Sequence, residues 1–328
     1  MLQSSGTIEP TLRERVERHT PLLMSFFVFV FIVAINVYLQ PNFLGRFVIR
    51  SNITTFLPLM MAAVGQTMVI LTGNIDLSLG GIITVVNVVT ITLFGMMPEA
   101  SGISLALPIV GGVLVGLLAG VANGVLIAKL RLQAVIATFA TNLVWMGLAL
   151  TIMPVPGGSV PWALSSFYRS WFLRLPMSLW FLILVVLLWV FLSRTKLVRY
   201  FYAVGGSVPN AYRSGIKVDR MLVSAYGLAG FFAGLSGLAL TLDISSGDPL
   251  VGQPLTLNSI TAVVIGGALL SGGQGSPIGS IFGACILGLV RNIIFFANVS
   301  PFYQDFIFGF VVIVALIVSS LGARRRAR

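Results

Sequence analysis

TGNIDLSLGG, residues 72–81, interrupts what is otherwise one long apolar stretch from about 53 to 97. A bilayer-crossing helix needs about 20 apolar residues, so an unbroken reading gives one helix twice too long, and a broken reading gives two. Asp76 is the only carboxylate between Glu17 and Glu99. The order Asp-Leu-Ser-Leu-Gly suits a helix start, where an acid or a serine accepts free backbone N–H groups and negative charge is favoured. Gly73, Gly80 and Gly81 supply backbone freedom and close approach. Asp76 therefore has two readings, a polar contact in a cavity or a structural carboxylate organising the break. Irregular backbone at membrane depth is tolerated only where protein buries it or where it lines a cavity.

Composition fixes the class around this stretch. Of 328 residues, 57% are hydrophobic and 9% charged, and the mean hydropathy is +1.01. A soluble domain carries about 25% charged residues. The expected fold is all-α: a polytopic membrane protein of about ten transmembrane helices, some short or broken. The spans are expected near 21–39, 53–71, 76–97, 104–128, 133–153, 176–193, 221–242, 255–270, 277–296 and 304–321. The segment after the eighth opens with SGGQGSPIGS, whose Gly272, Gly273 and Gly275 mark a second break. The net charge of +11 does not point to nucleic acid, because the basic residues fall in short clusters between apolar runs. With both termini placed in the cytoplasm, fifteen of the twenty Lys and Arg lie on the inside, as the positive-inside rule requires.

Three regions follow: an amphipathic cytoplasmic segment over 1–20, the membrane domain over 21–321 and a basic cytoplasmic tail over 322–328. In the first, Arg13–Glu17 and Glu14–Arg18 have helical spacing. Within the second, the loop 193–220 is the longest inside loop and carries six basic residues. Its Ser207-Val-Pro-Asn-Ala reads as a capped helix start with an early proline, and Gly215 as the stop. Small residues recur at four-residue spacing in Gly112, Gly116, Gly120 and Gly124, in Gly230 and Gly234, and in Gly279 and Gly283. Such faces let membrane helices approach closely.

The chain has no GxxxxGK[ST] loop for nucleotide phosphates. One histidine, His19, and one cysteine, Cys285, make neither a metal site nor a disulfide. No catalytic or metal-binding residue is expected. Spans four to seven hold no acid, which argues against proton coupling through paired carboxylates. Arg291, inside the ninth span, is expected to reach the interface or pair with Asp305. A membrane route without an energy source of its own is left.

Four motifs in order then match a known family. They are GNIDLSLG (73–80), NGVLIAKLRLQAVIATFAT (123–141), YAVGGSVPNAYRSGIKVDR (202–220) and ITAVVIGGALLSGGQGSPIGSIFGACILGLVRN (260–292). Over about 50–320 the chain resembles the permease subunits of bacterial ATP-binding-cassette importers of the ribose, galactose and xylose type. It departs locally, with Asn74 for the usual glycine, Gln133 for a frequent proline and Ser207 to Asn210 for polar or acidic residues.

The resemblance implies a multi-pass permease of the bacterial inner membrane, paired with a second permease subunit. It implies a cytoplasmic ATPase, which would hold ATP and Mg, and a periplasmic sugar-binding protein that delivers a monosaccharide. No cofactor would bind this chain. The ATPase would dock on the 193–220 loop through Tyr212, Arg213, Ser214 and Gly215, with Ala211 packing beneath. Sugar recognition favours amides and aromatic faces, which makes Asp76, Asn87, Phe139, Asn142 and Trp145 the pathway candidates. The alternative is a secondary sugar carrier or facilitator, in which Asp76 would move the proton.

Overall fold

The computed structural model describes residues 12–97, 102–300, 302–304, 306–310 and 313. The described residues are mostly helical. In order come α1 (Leu12–Leu39), α2 (Arg46–Leu71), α3 (Leu79–Gly95), α4 (Ala106–Lys129) and α5 (Ala134–Ile152). A short α6 (Trp162–Tyr168) precedes a two-residue hairpin, β1 (Trp171–Phe172) and β2 (Leu175–Pro176). Then follow α7 (Met177–Ser193), α8 (Lys196–Gly206), α9 (Val208–Arg213), α10 (Val218–Ile244), α11 (Gln253–Ile265) and α12 (Pro277–Phe296).

Among the described residues, six helices are long and apolar enough to cross a membrane: α1 over Leu22–Leu39, α2, α4, α5, α10 and α12. A seventh is reached if α7 and α8 count as one span, bent by 75° at Arg194–Thr195. Short helices are expected, and two of their bounds differ from the expected ones. The third begins at Leu79 rather than 76 and has 17 residues; the eighth ends at Ile265 rather than 270 and has 13. In both, glycines and polar residues hold part of the apolar stretch out of the helix. The expected tenth span, 304–321, lies mostly outside the described residues, as do residues 1–11 and the basic tail. Residues 12–20 are continuous with the apolar part of α1.

α2 and α10 form the centre, and α10 packs along α4, α2 and α3. Lipid tails are as apolar as leucine, so helices in a membrane associate through close packing and hydrogen bonds. The expected glycine faces provide it. Gly116 and Gly120 of α4 cross Gly230 and Gly234 of α10 with no side chain between them; a β-carbon at Gly120 would lie 2.8 Å from the Gly230 Cα. Gly124 meets Val223 one turn on. The α11–α12 pair repeats the device, with Gly279 and Gly283 of α12 against Gly266 and Ala262 of α11. Cys285 packs beside the core as a free thiol. The Arg291 guanidinium lies 4.5 Å from the centre of the Phe308 ring, a cation–π contact; Asp305, its expected partner, is outside the described residues.

Gly120→Val forces a branched side chain into the Gly230 backbone and is expected to cost about 1–3 kcal/mol or more. Gly147→Ala, on the open face of α5 where nothing lies within 4 Å, is expected to be neutral. Thermal unfolding of both purified variants beside the parent protein checks this.

Candidate functional site

The break between α2 and α3 sits inside the helix bundle, and Asp76 and Ser78 have no exposed surface. α2 stops where the Thr72 hydroxyl donates to the Val69 carbonyl (2.7 Å) and Gly73 turns with φ +81. The chain then runs without helix to Ser78. Each helix start leaves four N–H groups without an intrahelical partner, and here those groups lie away from water. Side chains of other helices meet them. The Gly80 N–H donates to Thr256 Oγ1 of α11 (3.0 Å), and the Gly81 N–H to Asn142 Oδ1 of α5 (3.0 Å). The Leu77 N–H, just before the helix, donates to Thr138 Oγ1 of α5 (3.0 Å).

Asp76 organises this break, but not as the cap of the helix. Ser78 is the N-cap residue. Asp76 Oδ1 accepts the N–H (2.8 Å) and the hydroxyl (2.5 Å) of Ser78, which closes a turn two residues long, the local bonding that aspartate favours. Ser78 Oγ in turn accepts from Asn123 Nδ2 of α4 (2.6 Å). Gln66 of α2, with its amide oriented to suit its neighbours, brackets the Asp76 backbone. It donates to the carbonyl (3.1 Å) and accepts the N–H (3.2 Å). The Tyr226 hydroxyl of α10 donates to the Ile75 carbonyl (3.4 Å). Five helices, α2, α4, α5, α10 and α11, therefore hold residues 75–81, and the positive end of the α3 dipole faces the Asp76 carboxylate.

A second irregular segment, 245–252, runs antiparallel to α3 on its other side. Asn87 ties its upper part: Nδ2 donates to Thr241 Oγ1 (2.9 Å) and the Ser246 carbonyl (3.0 Å), and Oδ1 accepts the Asp248 N–H (2.8 Å). Lower down, the Gly252 N–H donates to Thr84 Oγ1 (3.1 Å). The bonds at Gly80 and Gly252 are reciprocal. Each short helix begins with a glycine whose N–H is received by the threonine four residues into the other, Gly80 by Thr256 and Gly252 by Thr84. Neither glycine has room for a β-carbon, because each packs on the carbonyl of the other. α3 and α11 are thus two short helices that start side by side in the interior and run in opposite directions.

The candidate pathway residues separate accordingly. Asp76, Asn142 and Trp145 gather at the start of α3, where the Trp145 Cβ lies 3.1 Å from a β-carbon built at Gly81. Asn87 lies two turns further along with its amide committed to the loop. Phe139 is 54% exposed on the outer face of α5. Sequence reading did not find Gln66, Thr138, Thr84 and Thr256, which look like isolated polar residues in apolar helices. A signal did exist, because Gly-x-x-x-Thr occurs at both helix starts. Among the described residues no group of His, Cys, Asp or Glu can hold a metal.

The 193–220 loop is more ordered than its composition suggests. α8 is amphipathic, with Val198, Phe201 and Val204 buried at three-residue spacing. α9 is the expected short helix. Ser207 Oγ accepts the Asn210 N–H (3.4 Å), Pro209 sits in the first turn, and Gly215 follows the end with φ +77. Ala211 is buried; Tyr212, Arg213, Ser214 and Gly215 are exposed, Tyr212 by 75%.

Residues 48–316 match the family described as "Branched-chain amino acid transport system / permease component". The ribose import permease protein RbsC of Bacillus subtilis (strain 168) is 37% identical over 299 residues, 90% of each chain. The protein of that name from Escherichia coli (strain K12) is 31% identical over 307 residues, 90% of this chain and 92% of its own. The autoinducer 2 import system permease protein LsrC of Salmonella typhi is 32% identical over 309 residues, 91% of this chain and 84% of its own. No solved structure matches.

Thr256→Val and Asn142→Leu each leave a buried glycine N–H without its acceptor, and each is expected to cost about 1–3 kcal/mol. Thr141→Val, at an α5 hydroxyl that only bonds its own helix (3.2 Å to the Thr138 carbonyl), is expected to stay within about 0.5 kcal/mol. Unfolding of the three variants in detergent checks the contrast.

Proposed function

Because the chain belongs to the family of transport-system permease components, we propose that it is the membrane-spanning subunit of an ATP-binding-cassette importer for a monosaccharide of the pentose or hexose class. The observation that carries this is similarity along nine-tenths of both chains to a ribose import permease protein. As a permease it performs no covalent chemistry. The energy comes from a separate cytoplasmic ATPase, which holds ATP and Mg, and a periplasmic binding protein delivers the sugar. Two permease subunits enclose the route in the bacterial inner membrane. Each has about ten membrane segments, counting the short α3 and α11, and both termini are cytoplasmic, which puts most Lys and Arg inside.

In this reading α9 is the ATPase contact. It combines a rigid capped helix, an exposed aromatic residue and a basic neighbour, Tyr212 and Arg213. Interfaces are enriched in both residue types. The pathway passes the start of α3, near Asn142 and Trp145, and the carboxylate of Asp76 holds the wall in shape. Phe139 meets sugar only across a second permease subunit, because its own subunit leaves it facing outward. Transport then follows rigid-body rocking of the two subunits, driven by ATP binding and hydrolysis.

The secondary-carrier reading rests on Asp76 as a buried acid. Asp76→Asn keeps the Oδ1 acceptor for Ser78, so the importer reading expects uptake within about threefold of the parent, and the carrier reading expects none. In proteoliposomes, uptake of labelled ribose is expected only with the ATPase, the binding protein and ATP together. Uptake by this chain alone on a proton gradient contradicts the proposal. Replacing Arg213 and Gly215 is expected to reduce ATPase co-purification about tenfold, the effect of losing about 1.4 kcal/mol at an interface, with membrane insertion unchanged.

A further inference from the structure

The end of α8 meets the α2–α3 break without a side chain between them. Gly205 packs backbone to backbone: a β-carbon there would collide with the Leu71 carbonyl and lie 2.5 Å from the Gly273 nitrogen. Gly272, with φ +89, faces the break itself; its β-carbon would lie 2.5 Å from the Gly73 nitrogen and 3.0 Å from the Gly205 Cα. Gly273, with φ +72, sits equally close to Gly206, at 2.9 Å from its Cα and nitrogen. Two hydrogen bonds fasten the junction. The Gly273 N–H donates to the Leu71 carbonyl (3.1 Å), and the Tyr202 hydroxyl of α8 donates to the Gly275 carbonyl (2.7 Å).

Three segments far apart in sequence, 71–73, 202–206 and 271–275, thus share one tightly packed backbone contact. A contact made by long side chains can absorb a displacement by changing rotamer; packed backbone cannot. Three residues past Gly73 is Asp76, and two residues past Gly206 is the first residue of α9. The 72–78 turn has no helical hydrogen-bond ladder; side chains from other elements hold it, Gln66 with two bonds, Thr138, Tyr226 and Asn123 with one each, so its position follows theirs.

We propose that this junction transmits movement of α8–α9 to the α2–α3 break, with Tyr202, Gly205, Gly272 and Gly273 as its positioning residues. The proposal rests on the reading of α9 as the ATPase contact and adds where the contact is delivered. Coupling between two sites requires an element whose arrangement both sites bias. Here that element is the 72–78 turn, biased through Gly73 by the junction and through Thr138 and Gln66 by the pathway helices.

The test uses the full-length chain in lipid nanodiscs with and without the co-expressed ATPase, followed by amide hydrogen exchange. ATPase binding is expected to slow exchange at 207–215 in the parent protein and in Tyr202→Phe alike. It is expected to alter exchange at 72–78 in the parent only. In Tyr202→Phe, ribose transported per ATP hydrolysed should fall about fivefold with ATPase affinity unchanged, beside the small drop in melting temperature that one lost hydrogen bond brings. A purely structural role for Tyr202 would move the melting temperature and leave that ratio alone. Gly205→Ala is the stronger lesion, and Tyr202→Phe carries the test if that variant fails to fold. Protection at 207–215 with no response at 72–78 in the parent overturns the linkage and leaves the docking reading standing. An equal 72–78 response in Tyr202→Phe and the parent does the same. No protection at 207–215 overturns the docking reading, and the linkage with it.

Discussion

A backbone N–H inside a bilayer has no water to bond, so a helix that begins there must find its acceptors in the protein. The start of α3 meets this demand with side chains from separate helices: Thr256 for Gly80, Asn142 for Gly81 and Thr138 for Leu77. Each acceptor belongs to an element that must be correctly placed before the bond exists. The local requirement at 77–81 therefore fixes α5 and α11 relative to α3. Gln66 and Tyr226 add α2 and α10 through the carbonyls of the same stretch. The glycine crossings of α4 on α10 and of α11 on α12 bring the helices near enough for these short polar side chains to reach.

The break also sets this bundle apart from one built of continuous helices. A continuous helix is set by its own ladder, whereas this irregular stretch takes its position from the side chains of other elements that bond it. The same holds for 245–252, which Asn87 and Thr84 tie to the other side of α3. Two interrupted segments therefore meet one short helix, 72–78 at its start and 245–252 along its length. The rest remains closely packed. The backbone junction at Gly73, Gly205 and Gly272 places one of these segments against the end of the amphipathic α8, which leads into the exposed α9.

Much of this was legible in the sequence, and the remainder was hidden for a physical reason. Apolar run lengths place the helices, because hydrocarbon thickness dictates them. Ser207, Pro209 and Gly215 mark α9, because capping is local chemistry. The glycine faces mark the close crossings. Features that depend on partners distant in the chain were not visible. A threonine at 84 or 256 is indistinguishable from a packing residue until the opposite helix is in place. Asn87 and Asn142 stand out in the sequence only as polar residues inside spans, and their bonds to the N–H groups of Asp248 and Gly81 depend on partners distant in the chain. Asp76 was recognised as the organiser of the break, but its bond goes to Ser78 ahead of the helix, and the caps come from elsewhere. The α8 segment reads as loop because basic residues dominate its composition, although Val198, Phe201 and Val204 carry a helical period.

The central claim is that side chains from other helices replace the missing acceptors at the buried start of α3. Site-resolved exchange on nitrogen-15 glycine-labelled protein in nanodiscs tests it most directly. Gly80 and Gly81 should exchange as slowly as Gly65 in the middle of α2, and Thr256→Val should release Gly80 while leaving Gly81 and Gly65 protected. Exchange at Gly80 and Gly81 as fast as at the exposed Gly215, or a Gly80 amide indifferent to Thr256→Val, would contradict the account.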